Sequence, residues 1–188
     1  MKFDKSFLRN QFLLQRKKKY FNAKKFNFKI IFNLIRRHFY KKKIIIAGYY
    51  SANYEVNIIN FLKEASKKNF RITLPIIQSS NKMSFHPWIF NQPLYINKFG
   101  ILEPKNSKKK ITPDLIMVPL VAFDNRLNRI GYGKGYYDRS LRKISKIKKN
   151  VISLGIAYSF QKCAKIPVND NDFKLDYIFT EKGIINSK

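Results

Sequence analysis

The sequence predicts an α/β fold, a parallel sheet flanked by helices, and three observations carry that prediction. Apolar runs of strand length alternate with longer stretches of helical spacing, the order expected when helical crossovers connect parallel strands. The 188 residues are 45% hydrophobic, enough to bury a core and within the size of one domain. No internal repeat or low-complexity linker divides the chain, so residues 1–188 read as a single domain.

Residues 3–40 read as helical, because Phe3, Phe7, Phe12 and Leu14, then Phe28, Ile31, Phe32 and Ile35, recur every three or four positions among lysines and arginines. Such a basic stretch also suits a membrane surface, but helices packed on a sheet are the favoured reading. Residues 44–50 form a compact apolar run after Lys41-Lys42-Lys43 and predict a buried strand. Residues 55–68 follow with Val56, Ile59, Leu62 and Ala65 at helical spacing, and a second strand at 70–74 is expected to stop at Pro75. The stretch 78–110 carries Pro87, Pro93 and Pro104 and reads as loops with a hairpin. Residues 115–119 predict another buried strand, and 135–147 a helix with Tyr137, Leu141 and Ile144 on one face. Residues 151–157 and 177–180 supply the last strands.

Charge sets the chain apart. Its 39 lysines and arginines against 11 aspartates and glutamates give a formal net charge of +28. Nucleic-acid binding is one reading, since lysines displace counterions from a phosphate backbone. The basic residues are spread along the chain rather than gathered in one stripe, and lysine, asparagine, isoleucine and phenylalanine are over-used together, which argues for compositional bias instead. A positive field of this size still attracts small polyanions. No apolar run reaches the length of a membrane span, so no membrane partner is expected. Cys163 is the only cysteine and forms no disulfide within the chain, which suits a reducing compartment. The first forty residues have the look of a basic presequence, yet a functional-looking Lys5-Ser-Phe-Leu-Arg9 begins almost at once, so the expected location is the cytoplasm.

Gly131-Tyr-Gly-Lys-Gly135 lies between a predicted strand and a predicted helix, where a phosphate site belongs. Lys134 and Arg129 bring full charges to the same place, and arginine can grip phosphate with two parallel hydrogen bonds. The segment is neither a Walker A loop nor the dinucleotide fingerprint, whose third glycine would fall at Tyr136. Three alternate glycines alone also fit a tight turn. Asp138 directly after them either complements the helix dipole or, beside a triphosphate, holds Mg2+. Asp170, Asp172 and Asp176 form a second acidic cluster, which lacks the glycine and glutamate of an EF-hand and is also compatible with a solvated turn.

Taken together, Lys5-Ser-Phe-Leu-Arg9, Phe99-Gly-Ile-Leu-Glu-Pro104, Pro113-Asp-Leu-Ile-Met-Val-Pro119, Val121-Ala-Phe-Asp124, Arg129-Ile-Gly-Tyr-Gly-Lys-Gly-Tyr-Tyr-Asp138 and Pro167-Val-Asn-Asp-Asn-Asp172 resemble the signature of the 5-formyltetrahydrofolate cyclo-ligase family, also called methenyltetrahydrofolate synthetases. The match runs through essentially the whole chain in order. It implies a three-layer α/β/α fold with a central, mainly parallel sheet and N-terminal helices. It also implies the ATP- and Mg2+-dependent conversion of 5-formyltetrahydrofolate to 5,10-methenyltetrahydrofolate, with release of ADP and phosphate. In that chemistry the formyl oxygen is phosphorylated by ATP, N10 of the folate attacks the activated carbon, and phosphate departs. The protein's part is positioning and charge neutralisation.

By similarity, Lys5 and Arg9 approach the ATP phosphates, together with Arg129, Ile130, Gly131, Tyr132, Gly133, Lys134, Gly135, Tyr136 and Tyr137. Tyr50 and Glu55 face the folate, which Tyr132, Gly133, Lys134, Gly135 and Tyr136 also contact. Lys134 and Arg129 are the catalytic candidates, and Asp138 and Asp172 the metal ligands. Read as a residue alone, Glu55 also fits a cap of the following helix. Trp88 and Tyr136 are candidates for stacking on a ligand ring, with core packing the other reading of Trp88. Two departures stand out: Leu120 where a small residue often follows Val-Pro, expected to narrow the pocket floor, and Tyr54 where glycine or an acid is common. A monomer needing only folate and ATP, with no obligatory nucleic acid, is expected. The alternative is a non-catalytic folate- or RNA-binding protein of the same fold, against which stands the placing of scarce carboxylates at the functional positions.

Overall fold

Asp4, the only acid before Glu55, accepts a hydrogen bond from the Phe7 amide at 2.7 Å and starts helix α1, Lys5–Lys19. The structure is a computed structural model that describes residues 4–40, 43–78, 82–105 and 109–186. Phe3, Lys41 and Lys42, used in the sequence readings above, lie outside the described residues. A short 3-10 turn at Tyr20–Asn22 and an extended stretch separate α1 from α2, Lys29–His38. The residues read as helical over 3–40 thus form two helices, and the stretch between them is corrected to a non-helical junction. Asn22 and Asn27 punctuate the junction, and the Asn27 side chain accepts from the Lys29 amide at 3.2 Å to begin the second.

The remaining elements follow in chain order. They are β1 (Ile45–Ala47), α3 (Ile59–Lys67), β2 (Arg71–Ile77), β3 (Met83–Pro87), β4 (Leu94–Ile96), β5 (Leu102–Pro104), β6 (Leu115–Pro119), β7 (Ala122–Phe123), β8 (Arg129–Ile130), α4 (Tyr136–Ile147), β9 (Ile152–Ile156), β10 (Tyr177–Thr180) and β11 (Gly183–Asn186). Seven of these strands form one sheet in the order β11-β10-β9-β6-β1-β2-β3. The inner pairings are parallel, and β3 and β11 add antiparallel edges. The expected α/β architecture with a central, mainly parallel sheet is what the chain adopts.

Alternation sorts the strand residues into two layers of core. Ile46, Leu115, Met117, Leu154, Ile156 and Phe179 meet α2 and α3 through Ile31, Leu34, Phe61 and Leu62. Their neighbours Ala47, Ile116, Val118 and Ile178 face the other way and meet α4 through Leu141. Burial on both faces explains why these strands read as unbroken apolar runs. A third cluster joins Leu8 and Phe12 of α1 to Val121, Ala122, Ile130 and Ile166.

Pro75 does not end β2, contrary to expectation. The hydrogen bonds from Trp88 N to Ile72 O and from Gln78 N to Lys82 O fix the bonded pairs of the β2–β3 ladder, which places Pro75, opposite Phe85, at a non-bonded position. Its missing N–H would point toward β1, which has already ended at Ala47. Pro87 sits the same way on the outer strand, opposite Thr73. The hairpin expected in 78–110 is β4–β5, while β3 joins the main sheet. The helix expected at 55–68 begins later, at Ile59, which leaves Glu55 in the preceding loop.

Candidate active site

Strand β1 leads into α3 on one face of the sheet, and β6 leads toward α4 on the other, so the connections diverge between two adjacent parallel strands. Ligand crevices form at the carboxyl ends of strands at such a switch point. A cleft of about 820 Å³ lies there, lined by Tyr49 and Tyr50 after β1, Pro119 at the end of β6, and Pro75 and Ile77 near the end of β2. Into the same cleft come Lys5 and Arg9 from α1, residues 129–139, and Asp172 from the loop before β10.

Helix α1 delivers its cations through one face. Lys5, Leu8, Arg9, Phe12 and Arg16 fall on a single side at the helical repeat, so the apolar pair that docks α1 also aims its basic groups. The Lys5 ammonium pairs with the Asp172 carboxylate. Arg9 Nε donates to the Gly131 carbonyl at 2.8 Å. Gly133, with φ +90°, is where that arginine passes: a Cβ there would stand 3.2 Å from the Arg9 guanidinium carbon. A side chain at 133 would be both strained and in the way. Gly135, also left-handed at φ +64°, caps α4 without a side-chain bond, which leaves first-turn amides available to an anion.

Arg129 is buried, 8% exposed, and its two terminal nitrogens are already engaged. One donates to the Phe173 carbonyl and the other to Asp138 Oδ1 at 2.6 Å, and the Phe173 amide reaches the same oxygen at 3.1 Å. Burial lowers its pKa, and the carboxylates of Asp138 and Asp172 oppose that shift. In this arrangement Arg129 fastens the Asp172 loop to the start of α4 rather than offering the two-bond phosphate grip anticipated from its type. Its hold rests in turn on Asp124, whose buried carboxylate accepts from the amides of Arg126, Asn128 and Ile166 at 2.9–3.1 Å and closes the β7–β8 turn. Lys134 lines the cleft and is exposed.

Glu55 is 7% exposed and accepts from the Ala52 amide at 2.9 Å across a tight turn. Burial raises its pKa, while the Ala52 bond, the Arg16 charge and a hydrogen bond from Tyr132 pull it back. Burial likewise pushes Tyr132 to about 12. Asn53 and Tyr54 before it both have positive φ, +48° and +63°, which explains why glycine suits position 54. Here Tyr54 packs edge-on against Tyr20 at 5.4 Å instead.

The family model described as the 5-formyltetrahydrofolate cyclo-ligase family matches residues 1–181. The chain belongs to that family. It is 32% identical over 136 residues to the 5-formyltetrahydrofolate cyclo-ligase of Haemophilus influenzae, covering 69% of this chain and 72% of that protein. It is 33% identical over 148 residues to a probable 5-formyltetrahydrofolate cyclo-ligase of Schizosaccharomyces pombe, covering 71% and 72%. The fold is similar to the 5,10-methenyltetrahydrofolate synthetase structure from Aquifex aeolicus, with a TM-score of 0.72, 28% identity, and 98% and 93% of the two chains covered. A synthetase of Mycoplasma pneumoniae is similar at TM-score 0.66 and 28% identity, over 99% of this chain and 100% of that one.

Against that family signature, the structure brings Lys5, Arg9, Tyr50, Glu55, residues 129–138 and Asp172 to one cleft. Trp88 stays apart, buried in the main core with its indole N–H donating to the Gln92 carbonyl at 3.3 Å, so its packing reading holds. Leu120 does not narrow the pocket. It turns into the core, where its side chain lies against Gly155, and Pro119 is the residue that lines the cleft. Asp176 bonds the amide and hydroxyl of Ser153, a structural task. Sequence reading missed Tyr49, Arg16 and Glu103. The repeat that joins Lys5 and Arg9 on α1 also reaches Arg16, so that residue was visible as the third cation of one face. Glu103 comes to the cleft through the β4–β5 hairpin; it lies within the segment 99–104 that carries the resemblance, but is given no role there.

Proposed function

We propose that the chain converts 5-formyltetrahydrofolate to 5,10-methenyltetrahydrofolate, with ATP cleaved to ADP and phosphate. The supporting observation is the convergence on one cleft of Lys5, Arg9, Glu55, residues 129–138 and Asp172, in a chain that the family model matches over residues 1–181. ATP phosphates would lie along Lys5, Arg9 and the amides of residues 131–136 at the start of α4. Lys134, exposed on the loop, would follow the transferring phosphoryl group, and the buried Arg129 charge would balance it from below. The formyl oxygen takes the phosphoryl group from ATP, N10 closes the ring, and phosphate leaves. Glu55 would accept paired hydrogen bonds from the amino and imino groups of the pterin, beside Tyr50 and Tyr136.

Asp138 and Asp172 suit a magnesium ion by their chemistry: each uses one oxygen in its ion pair, and a hard cation takes one or two carboxylates together with phosphate oxygens and water. They would hold it through their second oxygens, where it would neutralise phosphate charge. Every group named belongs to one chain, so the proposed reaction requires no residue from a second subunit. Among the described residues no helix is long and apolar enough to cross a membrane. The test is turnover: purified protein with 5-formyltetrahydrofolate should build up the methenyltetrahydrofolate absorbance only when ATP and Mg2+ are both present. Folded protein that binds both substrates and produces none would leave a non-catalytic binder.

A further inference from the structure

Arg16 is among the most deeply buried charged side chains of the described residues, and no part of the reaction above uses it. It is 1% exposed, on the α1 face that carries Lys5 and Arg9, one turn past Phe12 and further along the helix from the phosphate end. Its Nη1 donates to the Leu120 carbonyl at 3.2 Å and its Nη2 donates to the Tyr132 hydroxyl. The guanidinium also lies over the Tyr132 ring, 5.6 Å from the centroid. Its Nε is buried with no partner among the described residues. An arginine kept in such a place is costly unless something nearby needs it. Gln161 marks how closely this corner is specified, since its amide also donates to the Leu120 carbonyl, at 2.9 Å, and to that of Val121 at 2.8 Å.

Tyr132 and Glu55 supply the need. The Tyr132 hydroxyl, which receives the Arg16 hydrogen bond, has its own hydrogen left to give, and Glu55 lines the same cleft and is the carboxylate whose pKa it pulls down. With Arg16 donating to the hydroxyl oxygen, the order of donation open to this corner is Arg16 to Tyr132 to Glu55. A hydroxyl held this way cannot rotate to donate elsewhere, and the carboxylate it meets is fixed on its other side by the Ala52 amide. We propose that Arg16 is a positioning residue for the folate end of the cleft, which orients the Tyr132 hydroxyl onto Glu55 and so fixes the carboxylate that reads the pterin. The inference rests on the folate reading of Glu55 and extends it to a residue that touches no substrate. It makes α1 a two-ended element, with Lys5 and Arg9 serving the phosphates and Arg16 serving the ring.

The test compares wild type with Arg16→Lys, Arg16→Met and Tyr132→Phe, after wild-type turnover has been established; if wild type is inactive, the functional reading fails and not this one. Arg16→Met and Tyr132→Phe are expected to raise the KM for 5-formyltetrahydrofolate about tenfold or more while the KM for ATP stays within about twofold. Their effects should not add in the double variant, because both break one chain of bonds. Arg16→Lys, which keeps the charge, should recover part of the loss. The pH profile separates positioning from packing. Arg16 and Tyr132 both hold Glu55 toward its charged form, so without either the acid limb of kcat/KM for the folate moves to higher pH. A general packing defect moves the thermal midpoint and leaves that limb where it was. Should Arg16→Met fail to fold, Tyr132→Phe alone decides: an unchanged folate KM and an unmoved acid limb overturn the proposal. Equal changes in both KM values in a folded Arg16 variant overturn it as well.

Discussion

Lys134 and Asp138 sit four residues apart at the same phosphate end, yet their surroundings separate two kinds of contribution. Lys134 is exposed, so Lys134→Ala is expected to reduce kcat by roughly 100- to 1,000-fold while the thermal midpoint stays within about a degree or two. Asp138 is different, because it is the ion-pair partner of Arg129, whose side chain is 4% exposed, and also holds the Phe173 amide. Either role the sequence offers for Asp138, complementing the helix dipole or holding Mg2+, would let its loss largely spare stability. The geometry revises that for Asp138: Asp138→Ala leaves a buried guanidinium without its carboxylate; because the Asp138 side chain is 28% exposed, the roughly 3–5 kcal/mol of a fully buried pair falls to about 2–4 kcal/mol. For a chain of this size that is a drop in thermal midpoint of roughly 4–15 °C. Calorimetry on the two variants beside their turnover rates checks both halves, and equal midpoints would contradict the buried-pair account.

At the scale of elements, function depends on how α1 is seated. Two apolar side chains, Leu8 and Phe12, press it onto Val121, Ala122, Ile130 and Ile166, and the cations between them enter the cleft as a consequence. Phe12→Ala should cost about 3–5 kcal/mol and raise the KM for both ATP and folate, since Lys5, Arg9 and Arg16 all ride on the helix. Ile31→Ala in α2 should destabilise by about 2–5 kcal/mol and leave both KM values near wild type, because Ile31 belongs to the core on the sheet face covered by α2 and α3. If the two variants shift the kinetics equally, the seating argument fails. Elements of this kind were readable where a local rule governs: the strand at 115–119, the helix after Gly135 and the tyrosine-glycine segment all follow from periodicity and turn chemistry. The break after α1, the late start of α3 and the strand through Pro75 were not. The first two turn on short-range bonds of asparagine and glutamate side chains that composition does not single out, whereas Pro75 depends on strands distant in sequence and is tolerated because β1 ends before reaching it. The site divides along the same line. Its cations and glycines announce themselves by type, whereas the part played by Asp124 in holding Arg129, or by Arg16 in holding Tyr132, exists only once the chain has folded.

For the molecule as a whole, the charge of +28 acts on stability and on substrate capture in opposite directions. Repulsion among like charges disfavours the compact state, and the described ion pairs offset little of it: Lys5–Asp172, Glu64–Lys68, Arg129–Asp138 and Asp114–Lys148. The same field draws in ATP, whose phosphates carry several negative charges, toward a cleft with Lys5, Arg9 and Lys134 at its phosphate end. Salt weakens both effects, because the screening length falls from roughly 14 Å at about 50 mM to roughly 4 Å at about 500 mM. Raising the salt over that range should therefore lift the thermal midpoint while lowering kcat/KM for ATP several-fold. The Lys5–Asp172 and Arg129–Asp138 pairs, both partly or largely buried, are screened less, so kcat itself should change little. Thermal scans and steady-state rates on the same protein samples measure the two trends together. A midpoint that falls with salt would mean that the ion pairs outweigh the repulsion, and a kcat/KM indifferent to salt would mean that the surface charge does not reach the cleft. Opposite slopes would show one charge distribution weakening the fold while feeding its site.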